Sequence, residues 1–307
     1  MSGAVLGAAF GFLPTDSFNV VVLIAVFVLI SLGLHFTFGL LNVVNLMHGE
    51  FLLLGAYTAF EVQQRTGSSL VGMLVAPFVG AIVGVAVERG VLRVLYERPL
   101  DSLLATFGLS VIIRQVIQLI YTANPRSLDD PIGGSFLVLG LNVPWWRLVV
   151  VLVTVALVAG VRWMLQGTPF GLRARATVRN PVLAAAMGIK VGPTRAALFA
   201  IGAGMTAFAG AVLAPLNTLD PQYGLLFLVN AFLVVILGGQ GSLRGLVVAA
   251  IVLGGSLSIM QFAISSVIAQ ILVIAIAVVA VRLRPILLRA FGDRRERRAS
   301  QAAKAAS

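Results

Sequence analysis

The chain has 307 residues, of which 59% are hydrophobic and only 11% are charged, and its mean hydropathy is +1.03. Soluble domains carry about 25% charged residues, so the composition excludes an ordinary soluble domain. The absence of cysteine excludes disulfides, thiol catalysis and cysteine metal sites. The net charge of +11 does not indicate nucleic-acid binding, because the basic residues lie in loops between apolar segments.

Apolar runs of roughly twenty residues recur along the chain, and each is long enough to cross a hydrocarbon core of about 30 Å as a helix. Their continuity, without alternation, argues against a β-barrel. Residues 1–16 contain no basic residue, so no cleaved signal peptide is predicted. The apolar runs and the positive-inside rule predict roughly eight to nine transmembrane helices, with the N-terminus outside and the C-terminus cytoplasmic. We therefore predict an all-α polytopic membrane protein with some glycine-broken or re-entrant segments.

The first unusual stretch places polar residues and glycine inside an apolar region. Its members are Asn42, Asn45, His48, Gly49 and Glu50. Polar groups at membrane depth usually face a bundle interior or an aqueous cavity, and broken backbone is tolerated there only where protein or water satisfies it. We expect these residues to line a central pathway; the alternative is that they cap or join helices. A helical zinc site is not predicted, because the second histidine, four residues after the first, is missing.

Residues 101–121 follow a predicted span at 69–87 and predict a helix with unusual polar content. Arg114 and Gln118 are four residues apart and therefore share one helix face. An arginine at this depth indicates either an ion pair beside a cavity or a short, tilted helix whose arginine snorkels to the interface. We take snorkelling as the working interpretation.

The next stretch, residues 122–145, is acidic and rich in turn-forming residues. We interpret it as an external loop. Trp145 and Trp146 predict an aromatic anchor at the membrane interface. Residues 147–165 then predict a span that returns to the cytoplasm.

The longest polar interruption, residues 166–195, contains no acid and several basic residues: Arg173, Arg175, Arg179, Lys190 and Arg195. A short helix is predicted inside it, with Asn180 as N-cap and Pro181 at the first helical position. Ala184 and Ala185 give this helix a small surface, and Gly188 can supply the left-handed stop. We interpret the helix as a docking site for a soluble partner; the alternative is an ordinary basic loop.

The second half contains another glycine-interrupted apolar stretch. Residues 196–213 are rich in small side chains, which permits close helix packing. Gly238, Gly239 and Gly241 then interrupt a hydrophobic run. Paired interruptions in two halves are typical of a transporter's central pathway, so we add these glycines to the predicted pathway.

Three stretches together resemble the inner-membrane permeases of bacterial ABC importers for branched-chain amino acids, and the closely related urea and short-chain amide permeases. They are GLLNVVNLMHGEFLLLGAY at 39–57, RARATVRNPVLAAAMGI at 173–189 and VVILGGQGSLRG at 234–245. The resemblance covers nearly the whole chain. It implies a transmembrane permease domain over 1–290, with an ATPase-docking loop at 166–195 whose helix reaches Ile189, and a basic cytoplasmic tail at 291–307.

The resemblance also implies partners: a second, related permease, two cytoplasmic ATPase subunits, and a periplasmic or lipid-anchored substrate-binding protein. ATP and magnesium would bind to the ATPase subunits, because this chain lacks the G-x-x-x-x-G-K-[ST] phosphate loop. We therefore expect no catalytic residue, metal or cofactor on this chain. The expected function is import of branched-chain or other hydrophobic amino acids, with urea or short-chain amides as the alternative substrates.

Two other classes of function stay open. An ion-coupled secondary transporter would use Arg114, Glu50 or His48 and would transport without partners. An intramembrane enzyme would use His48 and Glu50, but no nucleophile–base pair or complete metal site accompanies them.

Overall fold

The computed structural model describes residues 14–96, 98–138 and 141–282. Its helices are, in chain order, α1 Pro14–Leu34 with a π-helical turn at His35–Leu40, α2 His48–Thr66, α3 Ser69–Gly90, α4 Pro99–Tyr121, α5 Trp145–Gly167, α6 Pro169–Arg179, α7 Pro181–Ala186, α8 Val191–Leu213, α9 Tyr223–Gly238, α10 Leu243–Ala263 and α11 Ser266–Arg282. Short 3₁₀ turns follow α3 and α8, at Leu92–Val94 and Ala214–Leu216. The predicted tail, 291–307, lies outside the described residues.

Six helices of the described ranges are long and apolar enough to cross a membrane: Phe18–Leu40, Ser69–Gly90, Pro99–Tyr121, Trp145–Gly167, Val191–Leu216 and Leu243–Ala263. α9 and α11 are apolar but shorter, and α2 carries polar residues at both ends. The prediction of an all-α polytopic membrane protein is confirmed. The predicted number of eight to nine crossings is approximate, because it depends on these three helices.

The core of the bundle is built around α1 and α8. In each of these spans, 72% of the most apolar window is buried inside the chain, compared with 17% for α4 and 22% for α5. Small residues allow α8 to approach its neighbours closely: a Cβ at Gly55 of α2 would lie 1.8 Å from the carbonyl oxygen of Ala207. A Cβ at Gly33 of α1 would lie equally close, 1.9 Å, to Thr206 Oγ1. The close packing expected from the small residues of 196–213 is therefore present.

The region between α4 and α5 contains a feature that the sequence analysis did not predict. Within the stretch interpreted as a loop, β1 (Ser135–Val138) pairs antiparallel with β2 (Leu141–Pro144). Each strand has only four residues, which is too short for its own sequence to indicate a strand. A second link joins the segment after α4 to the segment after α8, where Arg126 and Leu219 exchange backbone hydrogen bonds of 2.8 Å.

The two tryptophans of the predicted aromatic anchor differ in burial. Trp145 is 42% exposed and lies against Phe136 of β1, with ring centroids 4.4 Å apart. Trp146 is buried, and its indole N–H donates to the carbonyl oxygen of Val212 at 3.0 Å. Trp146 is therefore a packing residue, because its N–H finds a partner inside the bundle instead of at the interface.

Candidate functional site

The first polar stretch is a real break in the helical backbone. After the π-helical turn, Val43 N–H donates to the carbonyl oxygen of Thr37 at 3.0 Å, and Asn42 adopts a φ of +56°. A left-handed conformation is uncommon outside glycine, although asparagine tolerates it better than most residues. The chain then turns back along α1, so that α2 begins beside Ile30, well inside the first span: His48 Nε2 donates to the Ile30 carbonyl at 2.9 Å.

The second predicted interruption is also present. Gly238 ends α9 and lies against the backbone of Gly245, since a Cβ there would come within 2.6 Å of the Gly245 carbonyl. Gly239 and Gly241 have φ of +89° and +74°, which glycine adopts without steric cost. Ser242 Oγ then accepts from Gly245 N–H at 3.0 Å and caps α10.

The two interruptions lie against each other. Gln240 Nε2 donates to Asn42 Oδ1 at 3.3 Å, and a Cβ on Gly241 would be 3.6 Å from the carbonyl oxygen of Gly39. Both Asn42 and Gln240 are exposed. The sequence predicted each interruption separately, but nothing in it predicted that they touch.

Three residues at the start of α2 are buried in helix contacts. Asn45 Oδ1 accepts from Met47 N–H at 3.0 Å, and His48 Nδ1 lies 3.3 Å from Thr206 Oγ1 of α8. Gly49 lies against Gly224 at the start of α9, where a Cβ would be 2.8 Å from the Gly224 carbonyl oxygen. These contacts agree with the alternative in which the polar residues cap or join helices. A role of these residues in a transport pathway stays a prediction.

Glu50 and Arg114 form an ion pair between α2 and α4. Arg114 Nη2 lies 2.5 Å from Glu50 Oε1, and Ser110 Oγ donates to the same oxygen at 2.9 Å. The Glu50 side chain is 1% exposed and that of Arg114 is 22% exposed. The working interpretation of Arg114 as a snorkelling residue is therefore wrong, because its guanidinium turns inward to a carboxylate that the sequence places on another helix.

The helix predicted as a docking site has the ends that the sequence predicted. α7 begins at Pro181, and Asn180 Oδ1 accepts from Leu183 N–H at 2.9 Å. Gly188 has a φ of +82°, and Ile189 N–H donates to the carbonyl oxygen of Ala184 at 3.0 Å. This closure satisfies carbonyls that a helix end leaves free.

The docking surface, defined here as α6, α7 and residues 187–190, exposes apolar and basic side chains together. Val182, Leu183 and Met187 are 79%, 57% and 75% exposed. The other exposed members include Leu172, Arg173, Arg175, Arg179, Ala185, Ala186, Gly188 and Lys190. Asn180, between α6 and α7, is also exposed, while Ala184 is buried. Arg173 and Lys190 also line a cavity of about 620 Å³ beside α7.

Arg195 has a different role from the other cations of the basic segment. Its guanidinium lies over the Tyr96 ring, 4.5 Å from the centroid, and the Tyr96 hydroxyl donates to Glu88 at 3.1 Å. Burial and the neighbouring Glu88 carboxylate raise the pKa of Tyr96 above its ordinary value. This stack ties the start of α8 to the segment after α3.

Comparison with known proteins identifies the family. Residues 17–281 match the sequence profile of the family described as the permease component of branched-chain amino acid transport systems. The chain belongs to the branched-chain amino acid ABC permease family. No solved structure matches it significantly.

Relatives of this permease come from distant organisms. The high-affinity branched-chain amino acid permease LivH of Escherichia coli (strain K12) is 27% identical over 253 residues, which are 77% of this chain and 82% of LivH. The probable LivH of Methanocaldococcus jannaschii is 28% identical over 251 residues, 78% of each chain. The ribose import permease RbsC of Haemophilus influenzae is 27% identical over 279 residues, 82% of this chain and 80% of RbsC.

Membership defines what kind of protein this permease is. It is a multi-pass protein of the bacterial inner membrane and a subunit of an importer that works with ATPase and substrate-binding components. In this permease sequence reasoning missed Ser110, Thr206 and Gln240. It also missed the pairing of Arg114 with Glu50. Each acts through a contact with a residue far along the chain, for which a single sequence carries no signal.

Proposed function

We propose that this permease imports branched-chain amino acids, driven by ATP that separate subunits hydrolyse after docking on α6, α7 and residues 187–190. The observation that carries the proposal is α7 itself. It is a short helix with both ends capped, and it presents Val182, Leu183 and Met187 to the surroundings. Exposed apolar side chains outside the membrane spans indicate a surface that a protein partner covers.

Charge supports the same partner. Arg173, Arg175 and Arg179 are exposed on α6, the helix directly before α7, and none of them forms an ion pair within the described ranges. Cations left free at the edge of an apolar patch favour a partner with acidic groups around its own apolar cleft. On this arrangement the docking surface faces the cytoplasm, the N-terminus lies outside and the C-terminus lies inside, in agreement with the positive-inside rule.

The position of α7 in the fold suggests how docking would move the bundle. α7 follows α6 at Asn180 and continues through Gly188 into α8, the central helix. α8 lies against α1, α2 and α3 with small residues at the contacts. A displacement of α7 would therefore be transmitted to the core, because close-packed contacts deform little before they rearrange.

The relatives support the proposed substrate. The LivH proteins carry branched-chain amino acids in their names and RbsC carries ribose. The family profile is that of the amino-acid systems, which favours a branched-chain amino acid over a sugar. Urea stays an untested alternative.

Uptake in proteoliposomes tests the proposal. The permease is reconstituted with its partner permease, ATPase subunits and binding protein, and radiolabelled leucine, ribose and urea are offered with and without ATP on the ATPase side. We expect leucine uptake that requires ATP. ATP-dependent uptake of ribose or urea alone would move the substrate and keep the mechanism. Uptake by this chain alone without ATP would establish a secondary transporter instead.

A further inference from the structure

The ion pair between Glu50 and Arg114 is unusual for its position. It joins two helices of a membrane bundle, and Glu50 is 1% exposed. Two apolar side chains of similar volume would join the helices as stably or more stably, because the cost of removing both charges from water opposes their Coulomb attraction. Ionisable groups at membrane depth are rare, face the interior of the bundle or a cavity, and mark substrate or ion routes.

The hydrogen bonding of the pair is incomplete. Glu50 Oε1 accepts from both Ser110 Oγ and Arg114 Nη2, whereas Glu50 Oε2 and Arg114 Nε are buried without a partner among the described residues. One acceptor of the carboxylate and one donor of the guanidinium are thus left without a partner within this pair. Buried polar atoms without partners are rare in native proteins and usually have a functional reason.

Polar side chains near the pair interrupt the otherwise apolar exposed side of α4. α4 packs chiefly against α2, and only 17% of its most apolar window is buried. On its open side Gln115 is exposed, and Arg114 and Gln118 are partly exposed. Amide and guanidinium groups in contact with hydrocarbon are costly, so this side of α4 borders water or another protein chain.

We infer that Glu50 and Arg114 form a binding station for the charged groups of a zwitterionic α-amino acid on its way through the membrane. The substrate ammonium binds Glu50, its carboxylate binds Arg114, and Ser110 positions the Glu50 carboxylate. A zwitterion supplies one cation and one anion, so it can replace the internal pair without leaving either side chain unpaired. Urea and ribose have no such charges. The inference rests on the proposed amino-acid import.

An apolar replacement separates a transport role from a structural role. In Glu50→Leu/Arg114→Met both charges are removed together, which leaves no buried unpaired ion. We expect the complex to assemble and its ATPase subunits to hydrolyse ATP, while leucine uptake falls about tenfold or more, the effect of losing a charge-assisted hydrogen bond. Glu61→Gln is the matched control: Glu61 lies on the same helix in an ion pair with Arg65, and uptake should not change.

Thiol labelling provides a second readout that does not depend on the double variant folding. Because the chain has no cysteine, Gln115→Cys and Leu74→Cys each give the permease one thiol. A hydrophilic thiol reagent should modify Gln115→Cys, and saturating leucine during turnover should slow this labelling. Leu74→Cys is the control: Leu74 is exposed on the apolar face of α3, and a thiol there should not react.

The outcomes distinguish the two proposals. If the unmodified complex takes up no leucine, the proposed function fails. If it takes up leucine and Glu50→Leu/Arg114→Met takes it up equally well, only the station is overturned, and the pair is structural. If that variant does not assemble, absence of labelling at Gln115→Cys overturns the station and leucine-sensitive labelling supports it.

Discussion

At the residue scale, α7 depends on its two ends. An isolated helix of six residues does not form in water, because nucleation is unfavourable and too few hydrogen bonds follow it. Asn180 satisfies an N–H at one end, and Pro181 removes a donor that would lack a partner. At the other end Gly188, with a φ of +82°, turns the chain so that Ile189 can close on Ala184.

Gly188→Val should therefore impair the coupling of ATP hydrolysis to transport, although the new side chain would not collide with a neighbouring atom. A Cβ at Gly188 would meet nothing within 4 Å, so the cost is that of a left-handed β-branched residue, about 1–2 kcal/mol. We expect weaker binding of the ATPase subunits and less leucine uptake per ATP hydrolysed. Gly192→Val is the control, because Gly192 has equal space and no positive φ. Equal uptake by both variants would show that the left-handed stop is unimportant.

Those ends could be predicted because each is a local signal: an N-cap, a proline and a left-handed glycine act within one helical turn. The ion pair of Glu50 with Arg114 could not be predicted in the same way. Each residue could be identified as a costly charge in an apolar segment, but the partner lies on another helix, and one sequence does not pair the two. Trp146 was misassigned for the same reason, since its partner is a carbonyl of α8.

At the element scale, α8 holds the bundle together through small residues. Gly202, Gly204 and Gly210 bring it against α1, α3 and α2 at distances that no side chain would allow. Without a hydrophobic driving force between helices in lipid, such van der Waals contacts are a principal source of association. The composition of 196–213 predicted close packing but could not say which helices would meet there.

A methyl group at this contact should be destabilising. Gly55→Ala would place its Cβ 1.8 Å from the carbonyl oxygen of Ala207, so α2 and α8 must separate, at a cost of about 1–3 kcal/mol. Gly108→Ala on α4 is the matched change, because a Cβ there meets nothing within 4 Å and alanine favours a helix interior by about 0.5–1 kcal/mol. Thermal unfolding in detergent should give a lower Tm for the first and an unchanged or higher Tm for the second. A normal Tm for Gly55→Ala would mean that the two helices are not held this closely.

Helices and strands differed in how well the sequence predicted them. The long apolar helices carried their own signal in length and hydropathy. The hairpin of β1 and β2 did not, because a four-residue strand exists only through its partner. The start of α2 beside Ile30 was likewise hidden, since the break at Asn42 could be predicted but the direction of the returning chain could not.

At the scale of the whole molecule, the two halves of the chain meet at their breaks. α1 and α2 are separated by the stretch containing Asn42, and α9 and α10 by the stretch containing Gln240. Their side chains touch, and the α9–α10 unit also packs on α1 and α2. Broken segments can change conformation at a low cost in free energy, because their backbone is not held by a continuous series of helical hydrogen bonds. This contact is therefore the place where we expect the halves to separate during transport.

Joining the two breaks covalently should arrest transport. In Asn42→Cys/Gln240→Cys the new thiols replace side chains whose polar atoms lie 3.3 Å apart, and the chain has no other cysteine to compete. An oxidant or a short bifunctional thiol reagent should cross-link them, and ATP-dependent leucine uptake should fall to background if the breaks separate in each cycle. A reductant should restore uptake after oxidation, and either single-cysteine variant should stay active under the same treatment. Full uptake by the cross-linked protein would mean that these breaks stay together throughout, and that movement of the bundle occurs elsewhere along α8.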